Sequence, residues 1–303
     1  MRHRSPRPAP LQACSGDAAF LRVLREQPFC GVVHSVFDRV VNLQRAGGDL
    51  FTIAVCDLDD APNTLRVEAS DFSGYGVMPG DVVRSLDGAV AVGDRTAIRI
   101  EDAQAWEPRL PRYPMRDERL RDQVARVRAR LRSPCVTGNV PDAGSTDTVR
   151  RMTALLQRHA TQLCDALARG DINCAGAAAR GLVGLGPGLT PSGDDFLVGL
   201  FAVLRLPGGP CADGDDICLA VLCDLHERTN AISAAALRAA AQGQVRASLQ
   251  ALLHEMVAGD GVGLDRALAR VLAIGSTSGA DMAAGVAGGL EAQLRLAGRV
   301  PCH

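Results

Sequence analysis

GLGPGLTPSGDDFLVGLFAVL, residues 184–204, sets a loop punctuated by glycine and proline against a long apolar run. Gly184, Gly186 and Gly188 free the backbone, while Pro187 and Pro191 stiffen it. Thr190 and Ser192 are favourable helix N-cap types, and Ser192 with Asp195 has capping-box spacing with Asp in place of Glu. The pattern predicts a helix that starts near Ser192 and is apolar on all sides, hence buried. The run Phe196–Leu204 is far too short to span a membrane.

A second stretch, GSTSGADMAAGVAGGL (275–290), echoes the first. Aligned on Ser192 and Ser278, both read S-G-x-D-x-x-x-G, which matches Gly193 with Gly279, Asp195 with Asp281 and Gly199 with Gly285. Each copy puts hydroxyls and a carboxylate at a helix start, with a glycine further along where a neighbouring helix or a ligand can approach closely. One reading is two ordinary capped helices packed through their glycines. The other is that the two N-termini converge on one anion, bound by backbone N–H groups and the positive end of each helix dipole. On that reading Asp195 and Asp281 need a role of their own: capping, holding an amide of the ligand, or holding Mg²⁺.

Working outward, Leu120, Val124, Val127 and Leu131 recur at helical spacing in an arginine-rich segment, and Thr148–Arg169 is a second amphipathic helix. The arginines are expected to form a solvated face. Pro108, Pro111 and Pro114 mark a boundary ahead of these helices. N-terminal to it the pattern is one of short β-branched runs: CGVVHSVF (30–37), VVNL (40–43), LFTIAV (50–55), TLRVEA (64–69), DVVRSL (81–86), AVAV (89–92) and TAIRI (96–100). Runs this short and closely spaced predict a small antiparallel sheet or barrel. The expected architecture is α+β: a leader over 1–19, a β-rich domain over 20–107, and an all-helical domain over 115–303 that carries the glycine loops.

Composition narrows the chemistry. In 303 residues all 33 basic side chains are arginine, so a Schiff-base lysine, a Walker A lysine and a kinase-type lysine are excluded. An anion here must be met by guanidinium groups, hydroxyls or helix N-termini. A net charge of −1 supplies no global field for nucleic acid. Ten scattered cysteines without a C-x-x-C pair suit reduced, mostly buried thiols rather than a disulfide scaffold or zinc site. The basic, proline-rich start lacks the apolar stretch of a signal peptide, and a cytoplasmic location without membrane contact is expected.

Other candidates are weaker. His34 beside Ser35 reads as a strand-end histidine, with a site contribution as the alternative. Cys223, His226 and Glu227, with Cys218 upstream, offer metal-ligand types, but the cysteines sit among apolar residues, which favours packing, while His226 beside Glu227 and Arg228 can face solvent. CADGDD (211–216) lacks the calcium-loop ligand ladder and reads as a solvent loop with a helix cap.

GLGPGLTPSGDDFLVG, followed by TNAIS (229–233) and GSTSGADMAAG, resembles a bacterial family long described only as a domain of unknown function. GVVHSVFDRVVNL (31–43) is similar to that family's opening, so the resemblance spans most of the chain. One branch is AllH, a subunit of oxamate carbamoyltransferase in anaerobic allantoin (purine) breakdown. The resemblance implies carbamoyl transfer between oxalurate and phosphate, giving oxamate and carbamoyl phosphate, in company with other subunits. It also raises the interest of Arg228, Thr229 and Asn230. The S-x-R-T phosphate motif of aspartate and ornithine carbamoyltransferases is absent.

The expected substrate-binding set is therefore Gly186, Gly188, Thr190, Ser192, Gly193, Arg228, Thr229, Asn230, Ser276, Ser278 and Gly279. Catalytic candidates are Asp194, Asp195, Asp281 and His34. Two other functions compete with a carbamoyltransferase-type subunit: a non-catalytic binding or scaffold subunit, and a Mg²⁺-dependent enzyme on a phosphorylated small molecule using Asp194, Asp195 and Asp281.

Overall fold

A computed structural model describes residues 10–114, 118–132, 147–259 and 261–298, so the basic start, Cys135 and Cys302 lie outside the described residues. The chain divides into two units, Met1–Pro108 and Arg109–His303.

The first unit is a β-barrel. Its strands are β1 (Leu11–Asp17), β2 (Cys30–Val36), β3 (Val40–Arg45), β4 (Leu50–Val55), β5 (Thr64–Val67), β6 (Val82–Leu86), β7 (Ala89–Val92), β8 (Thr96–Arg99) and β9 (Gln104–Trp106). They run in the order β5-β4-β3-β2-β6-β7-β8-β1-β9, and a β5–β1 pairing closes eight of them into a barrel that leaves β9 as an extra strand. β1 achieves this by dividing its length: Leu11 and Gln12 pair with β8, and Ser15 to Asp17 pair with β9. Most pairings are antiparallel, as expected. The exceptions are β4–β5, β1–β8 and β1–β9, which are parallel.

Two expectations need correction here. Residues 11–17 are not leader but β1, the strand that closes the barrel. LQACSGD is poor in β-branched residues, so its strand character comes from burial rather than propensity. Residues 18–26 form a helix, α1 (Ala18–Glu26), across the boundary between the expected leader and the β-rich domain. Asp17 caps it by accepting a bond from Ala19 N, and Phe20, Leu21 and Leu24 form its buried stripe. Phe20 stacks on Phe51 with ring centroids 4.5 Å apart, which fixes the helix to the barrel core.

The second unit is helical throughout its described residues. Its helices are α2 (Glu118–Leu131), α3 (Asp147–Arg169), α4 (Ile172–Leu182), α5 (Ser192–Leu204), α6 (Gly214–Leu222), α7 (Leu225–Arg228), α8 (Ala231–Ala241), α9 (Ala247–Val257), α10 (Leu264–Leu272) and α11 (Ser278–Ala297). α5 is buried along nearly its whole length and packs along α11. Arg119, Arg121, Arg126 and Arg130 of α2 lie on an exposed face as expected, while Arg128 is half-buried and pairs with Glu291 at 2.5 Å. Among the described residues no helix is long and apolar enough to cross a membrane.

Candidate functional site

The two S-G-x-D-x-x-x-G segments are the first halves of α5 and α11, and the fold joins them symmetrically. A Cβ on Gly199 would lie 2.9 Å from Met282 C and 3.0 Å from Val286 N. One on Gly285 would lie 2.9 Å from Phe196 C and 3.0 Å from Leu200 N. Phe196 and Met282, like Leu200 and Val286, occupy equivalent places in the two copies. The glycines therefore let the two helix backbones touch, each at the same point of the other.

The hydroxyls cross over in the same way. Thr190 Oγ1 and Ser278 Oγ are 2.8 Å apart, which ties the first loop to the second helix start. Ser278 and Thr190 lie against the carboxyl of Asp195, while Ser192 and Thr277 lie against that of Asp281. Each motif serine thus serves the other motif's aspartate. The expected capping box does not form: neither helix start has a side-chain cap, because Ser192 and Ser278 turn to the opposite helix. Thr277 was not among the expected residues, although it adjoins Ser278 and precedes Asp281 by one helical turn.

The two carboxyls are poorly solvated. Burial pushes Asp195 up to about 7, with Asp281 and Asp194 adding to the rise and the hydroxyls of Ser278 and Thr190 opposing it. Burial likewise pushes Asp281 up to about 6, against the pull of Ser192 and Thr277. In both, Oδ2 is buried without a hydrogen-bond partner of normal geometry. A buried orphan oxygen is costly, and protonation is the cheapest relief within the chain. Near neutral pH this pair can hold a proton and donate it in a hydrogen bond.

Asp194 does different work. Its Oδ1 accepts a bond from Gly184 N at 2.8 Å, and its Oδ2 accepts one from Thr229 Oγ1. Burial raises its pKa too, against these two bonds and Ser233. It anchors the start of the glycine loop to the segment that precedes α8. Asn230 adds a second tie, donating to Leu189 O at 2.8 Å while its Oδ1 accepts from Ile232 N and Ser233 N to cap α8. Gly184, with φ at +72°, lies where a Cβ would strike the Arg228 carbonyl. Arg228 itself is spent on Asp224, at 2.7 Å, and Arg180 holds the same carboxylate. Hydrogen bonds from Arg228 and then Arg180 hold Asp224 below the usual carboxylate range. Within that cluster the i,i+4 spacing of Asp224 and Arg228 was a signal the sequence reading missed, whereas Arg180 carried none, since it lies 44 residues from Asp224.

Thus Thr190, Ser192, Asp195, Thr277, Ser278 and Asp281 meet at the paired helix starts, and Asp194, Thr229 and Asn230 brace the loop. Gly193 and Gly279 instead pack against backbone, Gly193 on Leu182 and Leu185 and Gly279 on Val271 and Leu272. Gly186 and Gly188 lie in that loop at φ +128° and +99°, and a Cβ on Gly188 would meet nothing within 4 Å. Ser276 is exposed in the turn before α11. His34 belongs to the other unit, exposed on β2, with Nδ1 at 3.1 Å from Ser35 Oγ. Among the described residues no group of three or more His, Cys, Asp or Glu side chains could hold a metal ion.

Residues 12–105 match the family model described as the AllH family N-terminal domain. Residues 182–290, which hold both glycine motifs and the α7–α8 brace, match the model described as oxamate carbamoyltransferase subunit AllH. No solved structure matches the chain. With the barrel covered by one model and the paired helix starts by the other, the chain belongs to the AllH family, whose namesake is a subunit of oxamate carbamoyltransferase.

Proposed function

We propose that this chain is a carbamoyltransferase-type subunit that binds a small carboxylate or phosphate ligand, of the oxalurate, oxamate or carbamoyl phosphate class, at the paired starts of α5 and α11. It would act in the cytoplasm, together with other subunits of a carbamoyltransferase. The observation that carries this reading is the pair of buried, orphaned carboxyl oxygens on Asp195 and Asp281, set among four hydroxyls at two helix N-termini.

The chemistry follows from protonation. An ionised Asp195 would repel an anion; a protonated one is a donor. With a pKa near 7, Asp195 carries its proton about half the time at neutral pH, and an incoming anion would favour the protonated form. The helix dipoles add positive potential at the same place. Backbone donors contribute less than the glycine pattern suggests. On α5 the N–H groups of Gly193, Asp194 and Asp195 are already bonded to Leu185 O and Pro191 O. On α11 those of Gly279 and Asp281 are bonded to Ile274 O and Thr277 O. Hydroxyls, neutral carboxyls, the Gly186–Thr190 loop and the N–H groups of Ser192, Ser278 and Ala280 are therefore the groups left to bind. In the transfer itself, oxalurate and phosphate exchange a carbamoyl group to give oxamate and carbamoyl phosphate. The site's part would be to hold the acid and stabilise charge on the carbonyl oxygen.

A second reading is favoured by those satisfied N–H groups: the crossed serine–aspartate arrangement also suits a clasp in a non-catalytic binding or scaffold subunit. A thermal-shift panel of oxamate, oxalurate and carbamoyl phosphate, each with and without Mg²⁺, separates the two. Stabilisation by one of these that weakens from pH 6 to pH 8 in wild type but not in Asp195→Asn, which stays neutral and keeps a donor, supports the binding site. No shift with any of them supports the clasp, and a shift only with Mg²⁺ supports the metal-dependent alternative.

A further inference from the structure

We infer that a groove bounded by α2, α3 and α11 is a second binding site, built for an organic anion with an apolar body. It is independent of the paired helix starts, and it stands or falls separately from the function proposed for them.

The groove encloses about 540 Å³, within the usual range for small-molecule pockets and far larger than an oxamate-sized acid fills. Its origin is legible in α11. Ala284, Ala287, Gly288 and Ala292 share one face at helical spacing, where a packed core would carry larger side chains. Ala160 and Cys164 answer them from α3. Cys164 Sγ and Phe196 form the floor, since a Cβ on Gly288 would lie 2.9 Å from the one and 3.6 Å from the other's ring.

The rim is charged and unbalanced. Arg128, Arg132 and Arg295 face the groove with only two carboxylates, Asp165 and Glu291. Arg128 pairs with Glu291 and Arg295 with Asp165, which leaves Arg132 without an ion-pair partner among the described residues. Arg128 Nε is buried with no hydrogen-bond partner. The exposed, unpaired Arg132, beside the half-exposed Arg128 side chain, suits a carboxylate, phosphate or sulfonate head group. The alanine, glycine and phenylalanine walls suit the apolar remainder. Burial pushes the Cys164 thiol up to about 11, so it serves as a wall group whose alkylation is slow at neutral pH.

The test uses 8-anilinonaphthalene-1-sulfonate, an apolar fluorophore with one anionic head, titrated into the full-length chain. Saturable fluorescence enhancement is expected. Ala284→Leu, which fills the groove from a half-exposed position, should weaken binding at least tenfold. Arg132→Ala, at an exposed position where folding is not at stake, should weaken it severalfold and flatten its salt dependence. Saturating probe should also slow alkylation of Cys164 by N-ethylmaleimide, read by peptide mass. Unchanged probe affinity in Arg132→Ala, together with unprotected Cys164, would overturn the inference even if Ala284→Leu failed to fold.

Discussion

Replacing Gly199 with alanine should destabilise the helical unit by about 2 kcal/mol. On helix propensity alone the change would be favourable by about 1 kcal/mol. Against this, the new methyl would sit 2.9 Å from Met282 C and 3.0 Å from Val286 N, and both belong to the backbone of α11. A side chain could swing aside; a helix backbone cannot, so α5 and α11 must separate along a buried contact. Overpacking of this kind costs typically ~1–3 kcal/mol and occasionally more, and a backbone obstacle puts it at the upper end. At roughly 2–4 °C per kcal/mol for a unit of this size, the melting temperature should drop by about 4–8 °C. Gly285→Ala should behave alike, because its Cβ would meet Phe196 C and Leu200 N at the same distances. The double variant should lose less than the two singles together, since one separation of the helices accommodates both methyls. Gly298→Ala, whose Cβ would have no neighbour nearer than 3.7 Å, is the control and should be near neutral. The assay is urea unfolding followed by far-UV circular dichroism. A Gly199→Ala protein as stable as wild type, or strictly additive losses, would refute the reciprocal close packing of the two motifs.

Other consequences concern charge, bracing and thiols. Asp195 and Asp281 are raised in the folded chain to about 7 and about 6, so the folded state binds protons that the unfolded state has released above its ordinary carboxylate pKa. Stability should therefore fall as pH rises from about 4 to 7 and level off above that. Asp195→Asn should exceed wild type in urea melts by a margin that widens from about pH 4 to pH 8; equal stabilities at pH 8 would contradict the buried-acid assignment. Thr229→Val removes a donor to Asp194 and leaves that buried carboxylate short of a bond, at a cost of about 1–3 kcal/mol, measurable as a lower urea midpoint. The eight described cysteines are all free, and with Cys135 and Cys302 expected to be thiols too, a titration of the denatured, unreduced chain should find ten. A titre well below ten would show a disulfide.

The strands were legible because their β-branched runs are cut by turn residues at short intervals, and β2 to β8 fall where those runs lie. β1 was not, because Cys, Ser and Gly carry almost no strand preference and it is ordered by its partners β5, β8 and β9. α1 shows helical spacing in Phe20, Leu21 and Leu24, but a nine-residue helix among strands is easily absorbed into their pattern. At the paired helix starts, the repeat itself pointed to Ser192, Asp195, Ser278 and Asp281. Their exchange of partners was hidden, because the local signal, Ser three residues before Asp, describes a cap within one helix. Asp194 shows the same limit: adjacent to Asp195 and identical in type, it is consumed by Gly184 and Thr229, one of them from a segment 35 residues away.

The most direct test of the proposed function is calorimetric titration of oxalurate, oxamate and carbamoyl phosphate into wild type and Gly188→Ala. At Gly188 the backbone stands at φ +99° with open space around it, so alanine distorts the loop's conformation without striking a neighbour. The account predicts that at least one of these ligands binds wild type, more tightly at pH 6 than at pH 8, as Asp195 gives up its proton. It also predicts a loss of at least tenfold in affinity for Gly188→Ala. Binding that ignores both the pH and the Gly188→Ala change, or no binding by any of the three, would contradict it.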